Sequence, residues 1–170
     1  MILSKNEIDR QVRAGRIRIA PYDASRLNPV SYNYRLGTEL IEVPCDEEWY
    51  KEELVTAIIP KDGYLLRADQ LYLANTEEEI GSDHYVVSLT GRSSIGRLGL
   101  FVQISADLGN LGASHRWTLE LHCIQPIKVY PRMTIGQVSF WRPAGKSYHY
   151  SGVYSAHSSP TPNLHSRLES

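Results

Sequence analysis

Residues 117–123, Trp117-Thr118-Leu119-Glu120-Leu121-His122-Cys123, alternate strictly between apolar and polar side chains. Successive side chains of a β-strand point to opposite faces. The spacing therefore predicts a half-buried strand over 117–124. Trp117, Leu119, Leu121 and Cys123 turn to a core; Thr118, Glu120 and His122 turn to solvent or into a cleft.

The same period spreads outward. Downstream, residues 127–130 and 135–141 read as strands, and upstream so do residues 100–104, 85–89 and 70–74. Lys61-Asp62-Gly63 marks a turn before Tyr64-Leu65-Leu66, Tyr32 to Leu36 alternates and stops at Gly37, and Arg16-Ile17-Arg18-Ile19 alternates as well. Many short strands with Gly, Pro, Asn and Asp between them predict an all-β core of the sandwich, jelly-roll or distorted-barrel kind. Two short helices interrupt it. Ser4 and Glu7 have capping-box spacing, Leu3 and Ile8 suit the accompanying hydrophobic staple, and Gly15 is placed to end a helix over 5–14. A second helix is expected at Ser93–Leu98. No repeat is visible. Residues 1–143 form the expected β domain. Residues 144–170 form a tail of Ser, His, Tyr and Pro, whose Ser158-Ser159-Pro160-Thr161-Pro162 cannot enter a central strand. It reads as a frayed terminus or as a lid that closes on a ligand.

At 170 residues the chain has the size of one domain and can bury a core unaided. A net charge of −1 disfavours a DNA or RNA polymer as partner, while a local basic cluster suffices for a small anion. Cys45 and Cys123 have no metal-ligand spacing, and two thiols fit a reducing cytoplasm. Lys5, Glu7, Asp9 and Arg10 break up any signal-peptide apolar stretch, and no apolar run suits a membrane span. The expected location is cytoplasmic.

Two features carry candidate chemistry. In Gly91-Arg92-Ser93-Ser94-Ile95-Gly96-Arg97-Leu98-Gly99-Leu100, two guanidinium groups, two hydroxyls and backbone N–H groups at a helix start suit a phosphate chain. The plain alternative is a surface turn with solvated arginines. The other feature is Glu120, either a cleft carboxylate or an exposed strand residue. His122 has the same bland alternative.

Together the two features resemble the dCTP deaminase/dUTPase family. Gly91–Leu100 is similar to the GRSSxxRLGL signature of dCTP deaminases, and Ala106 to Glu120 can be laid without a gap on the segment that ends at the family's catalytic glutamate. Met1-Ile2-Leu3-Ser4, Ser31–Gly37, Pro131-Arg132-Met133 with Ile135-Gly136-Gln137, and a tail with Tyr150, Tyr154 and Pro160-Thr161-Pro162 extend the likeness over nearly the whole chain.

The resemblance implies a dUTPase-type β core, a homotrimer with active sites at subunit interfaces, and hydrolytic deamination of dCTP or a related cytosine nucleotide to dUTP and ammonia. Zinc deaminases take their hydroxide from a metal and carry an H-x-E…P-C-x-x-C pattern, which this chain lacks. By resemblance Glu120 is the general base, with Ser93 and Arg97 holding water and intermediate. Arg92, Ser93, Ser94, Arg97, Ala106, Asn110, Thr118, Leu119, Tyr148, Tyr150 and His157 are the expected nucleotide contacts. Mg²⁺ is expected on the triphosphate, with no zinc.

Some positions depart from the family. Asp107-Leu108 stands where it has His-Arg, Asn110 and Asn33 replace aspartates, Val153 falls on its phosphate-binding lysine and His157 on its glutamine. Asn110 has no basic oxygen to activate water at the α-phosphorus, so a dUTP diphosphatase or bifunctional dUMP-forming enzyme is the second reading. A non-catalytic nucleotide-binding trimer is the third.

Overall fold

The computed structural model describes residues 1–45, 54–103, 106–152 and 157–162. Its elements run α1 (Lys5–Arg13), β1 (Arg18–Ala20), a 3₁₀ turn (Ala24–Arg26), β2 (Leu27–Asn28), β3 (Ser31–Glu42), β4 (Thr56–Ile58), β5 (Tyr64–Leu66), β6 (Leu71–Gly81) and β7 (Val86–Gly91). Then follow α2 (Ser93–Gly96), β8 (Leu100–Val102), β9 (Leu108–Gly109), β10 (Ser114–Cys123), β11 (Ile127–Val129) and β12 (Thr134–Trp141). The fold is all-β with two short helices, as the strand pattern predicts. One curled antiparallel sheet is ordered β8-β10-β6-β3-β12-β7-β9, with β1, β2 and β4 paired at its sides; β5 and β11 form a separate pair.

The curl hinges on β3. Its first half pairs with β12 and its second with β6, and the β3–β6 register shifts between Leu36 and Leu40. Gly37, expected to end the strand, lies inside it. A Cβ there would fall 2.0 Å from Asn75 Oδ1, so this glycine admits a buried side chain from the neighbouring strand rather than a turn. Gly136 on β12 does the same for Tyr34, whose Oη would lie 2.1 Å from a Cβ at 136. Tyr34 is fully buried and its hydroxyl donates to the Thr90 carbonyl at 3.2 Å. Burial pushes that phenol well above its ordinary range.

The concave side holds the core: Tyr32, Tyr34, Leu36, Tyr72, Leu119, Leu121 and Phe140 are all fully buried. Glu77, Glu78 and Glu79 on β6 are met by Arg132, Arg35 and Arg18 in turn. The middle pair is the enclosed one. Glu78 is inaccessible and takes both the Arg35 backbone N–H (2.8 Å) and its Nε (2.7 Å).

The helices differ in detail from expectation. Ser4 is the N-cap of α1 but makes no side-chain cap bond; Glu7 turns instead to Arg10 (2.7 Å) and Gln11, because a charge-assisted pair outcompetes a neutral backbone donor. Gly15 does close the helix, donating to the Val12 carbonyl. α2 stops at Gly96, and the chain tightens through Leu98 N–H to Ile95 and Gly99 N–H to Gly96. No helix among the described residues is long and apolar enough to cross a membrane.

Candidate active site

Strand β10 sits between β6 and β8, with Glu120 opposite Leu73. Leu119, Leu121 and Cys123 are fully buried on the core side, and Thr118, Glu120 and His122 are half-buried on the other, as the alternation requires. A register shift between Arg116 and Thr118 breaks the period at the start of the strand. Trp117, expected in the core, consequently packs against the core and also borders a cavity.

That cavity measures about 520 Å³, a size suited to a small-molecule ligand. Thr118 and Glu120 project from its strand wall. Gln103, Ala106 and Asn110 come from the segment before β10, and Ala113, His115 and Trp117 from its start. Val43, Leu54, Leu71 and Leu73 make one side apolar. Tail residues Tyr150, His157, Thr161 and Pro162 complete the wall.

The tail is fastened rather than merely near. Tyr150 N–H donates to the Leu111 carbonyl (2.8 Å), Asn75 Nδ2 to the Ser158 carbonyl (3.1 Å), and Thr161 N–H to Thr118 Oγ1 (3.1 Å), while Pro160 is buried. Asn75 and Thr118 are cross-strand partners, so both anchors of residues 158–161 lie on the strand pair that carries Glu120.

Gln103 braces the catalytic candidate. Its side-chain oxygen accepts the Glu120 N–H at 2.8 Å, its amide nitrogen donates to the Ala106 carbonyl at 3.2 Å, and its own N–H donates to the Glu120 carbonyl at 3.2 Å. The backbone at Gln103 is left-handed, φ +54°, a conformation held at the cost of strain. His115 is also buried. Its ring lies 4.3 Å from that of Trp117, tilted 35°, and Nδ1 is 2.9 Å from the Arg116 carbonyl. Trp117 Nε1 in turn donates to the Ile80 carbonyl at 2.8 Å.

Six of the residues named from sequence thus line one cavity: Ala106, Asn110, Thr118, Glu120, Tyr150 and His157. The others lie elsewhere. Leu119 keeps its side chain in the core, leaving only its backbone for a ligand. Tyr148 is 75% exposed, with Lys146 over its ring. Arg92 and Arg97 flank α2 as its N-cap and C-cap, and Ser93, Ser94 and Arg97 are exposed; none of the four lines the cavity. Asp107, the carboxylate nearest in sequence to Asn110, accepts from Ser88 Oγ at 2.9 Å and is absent from the wall. Val153 lies outside the described residues. Sequence reasoning missed Gln103 and His115. Nothing local flags Gln103, but period two applied back from Trp117 places His115 on the same face.

A β-sheet wall, one glutamate among the described lining residues and tail residues bonded to that wall define a small-molecule site in a dUTPase-like β fold. The profile of the dCTP deaminase-like family matches residues 2–143, and the chain belongs to that family. It is 45% identical over 167 residues to "dCTP deaminase, dUMP-forming" of Cytophaga hutchinsonii, covering 96% of each chain. It is 41% identical over 157 residues to "dCTP deaminase" of Rhodopirellula baltica, covering 86% of this chain and 75% of that one. The crystal structure of 2'-deoxycytidine 5'-triphosphate deaminase from Agrobacterium tumefaciens superposes with a TM-score of 0.67 at 20% identity. That likeness, over 82% of this chain and 46% of the other, concerns the fold.

Proposed function

We propose that the protein deaminates dCTP hydrolytically, with Glu120 as the general base. One observation carries the reading: in a chain 45% identical to a named dCTP deaminase, Glu120 is the one carboxylate among the described residues of the cavity wall. Water attacks C4 of the cytosine and gives one proton to Glu120, which passes it to N3; Glu120 then takes the second proton from the new C4 hydroxyl and delivers it to the amine, so that C4=O forms, C4–N breaks and ammonia departs. Gln103 fixes the backbone that aims the carboxylate.

Ser93 and Arg97 hold the water and the intermediate, and Arg92 and Ser94 grip phosphate. A second copy of the chain would supply these residues, a reading supported by their position on and beside α2, outside the cavity of their own subunit. The family resemblance favours a homotrimer with three such shared sites. Among the described residues no three His, Cys, Asp or Glu converge to cage a metal ion. Mg²⁺ enters with the triphosphate, whose charge it partly neutralises. The expected setting is the cytoplasm.

The product divides two readings. Asn110 in the wall favours dUTP, whereas relatives named "dUMP-forming" favour further hydrolysis to dUMP and diphosphate. Incubation with Mg²⁺ and dCTP, assaying ammonia and diphosphate separately, decides between them. Absence of ammonia would sink the deaminase reading, and a monomer by light scattering would sink the shared site.

A further inference from the structure

We propose that His115 is the proton acceptor for a second hydrolysis in the same cavity, cleavage of the bond between the α-phosphorus and the bridging oxygen of the deaminated nucleotide. This rests on the reading that a deoxynucleoside triphosphate occupies the cavity. Release of diphosphate needs a water that loses a proton as it attacks phosphorus. Glu120 is committed to the base, Asn110 offers only an amide, and Asp107 is turned to Ser88. Among the described residues of the wall, that leaves the imidazoles.

His115 has the arrangement of an oriented base. Nδ1 faces the Arg116 carbonyl, which only accepts, so Nδ1 carries a hydrogen and, in the neutral ring, Nε2 is the nitrogen with the lone pair. The ring is 7% exposed and is held against Trp117, itself tied to Ile80, so its direction is set before a ligand arrives. His157 lines the same cavity but is exposed and sits on the tail, without a strand to aim it. In the step, Nε2 takes one proton from water and the oxygen bonds to the α-phosphorus. The bond from that phosphorus to the bridging oxygen breaks, and diphosphate leaves with the electron pair. The imidazolium then returns its proton to solvent. The sum is dUTP and water to dUMP and diphosphate, with no further reactant.

The test supplies dUTP directly, with Mg²⁺, so that deamination is bypassed, and runs dCTP in parallel. The expected result is diphosphate from dUTP with the wild-type protein, and a loss of roughly 10²-fold or more in His115→Gln, the scale of a general base. His115→Phe, which keeps the ring stack and lacks both nitrogens, is read alongside, and whichever variant keeps the wild-type melting temperature decides. No diphosphate from dUTP, or a folded variant that releases it at the wild-type rate, overturns the proposal. Ammonia from dCTP reports separately on the deaminase reading, so either can fail alone.

Discussion

The cavity around Glu120 and the turn Arg92–Leu98 hold the two sets of chemical groups that this sequence advertises, and the fold treats them in opposite ways. Glu120 stands on an inner strand, with Gln103 bonded to its backbone and the tail fastened to its neighbours. Ser93 and Ser94 on a one-turn helix, and Arg97 just past its end, are exposed beyond the wall of that cavity. A rigid half-site and an outward-facing one in the same chain make sense if each is finished by another copy.

The severest challenge to that comparison is Glu120→Gln. Ammonia release from dCTP is expected to fall by roughly 10²–10⁴-fold while calorimetry still detects nucleotide binding; unchanged turnover removes Glu120 from the chemistry. Arg97→Ala is expected to be impaired for a different reason, and the two defects are complementary. Mixing Glu120→Gln with Arg97→Ala after mild dissociation and reassembly should return ammonia release that neither has alone. If mixtures stay as inactive as their parents, cavity and turn do not meet between copies.

The rigid half can be broken without touching either. Arg35→Met strands Glu78, a fully enclosed carboxylate, and is expected to cost about 3–5 kcal/mol in urea denaturation. Gln103 sharpens the contrast more gently. Gln103→Ala should lower kcat by about tenfold, as one or two lost hydrogen bonds would. Gln103→Gly relieves the left-handed backbone yet loses the same bonds, so a glycine variant with wild-type kcat would mean that strain, not bracing, matters.

The smallest effect lies at the surface of α1. Hydrogen bonds from Arg13 and then Tyr22 hold the Asp9 carboxyl below its ordinary range. A group depressed in the folded state adds stability above its unfolded pKa and loses it as pH falls through the folded value. The melting temperature should therefore decline slightly more steeply in acid for the wild type than for Asp9→Asn; parallel curves would show that the pair contributes nothing.

Period two made most of the sheet legible, because each strand buries one face: the core side of β10 can be read from Leu119, Leu121 and Cys123 alone. It failed where side chains from distant strands intervene. Gly37 looks like a stop until Asn75 is seen against it, and β4 and β9 are too short to establish a period. The site divides likewise. Glu120 and Asn110 are visible through family resemblance, whereas Gln103 matters through an amide that bridges Glu120 and Ala106, a relation no local pattern encodes. The capping box at Ser4 and Glu7 misled because Arg10 offered the carboxylate a charged partner.

Gly136 and Tyr34 leave a record in how this protein can change over generations. A methyl group at 136 collides with a buried phenol, so that glycine is free to drift only after the tyrosine has become something smaller. The two positions are thus locked in historical order. Grafting residues 134–141 from a relative that lacks the tyrosine is expected to fail unless position 34 travels with them.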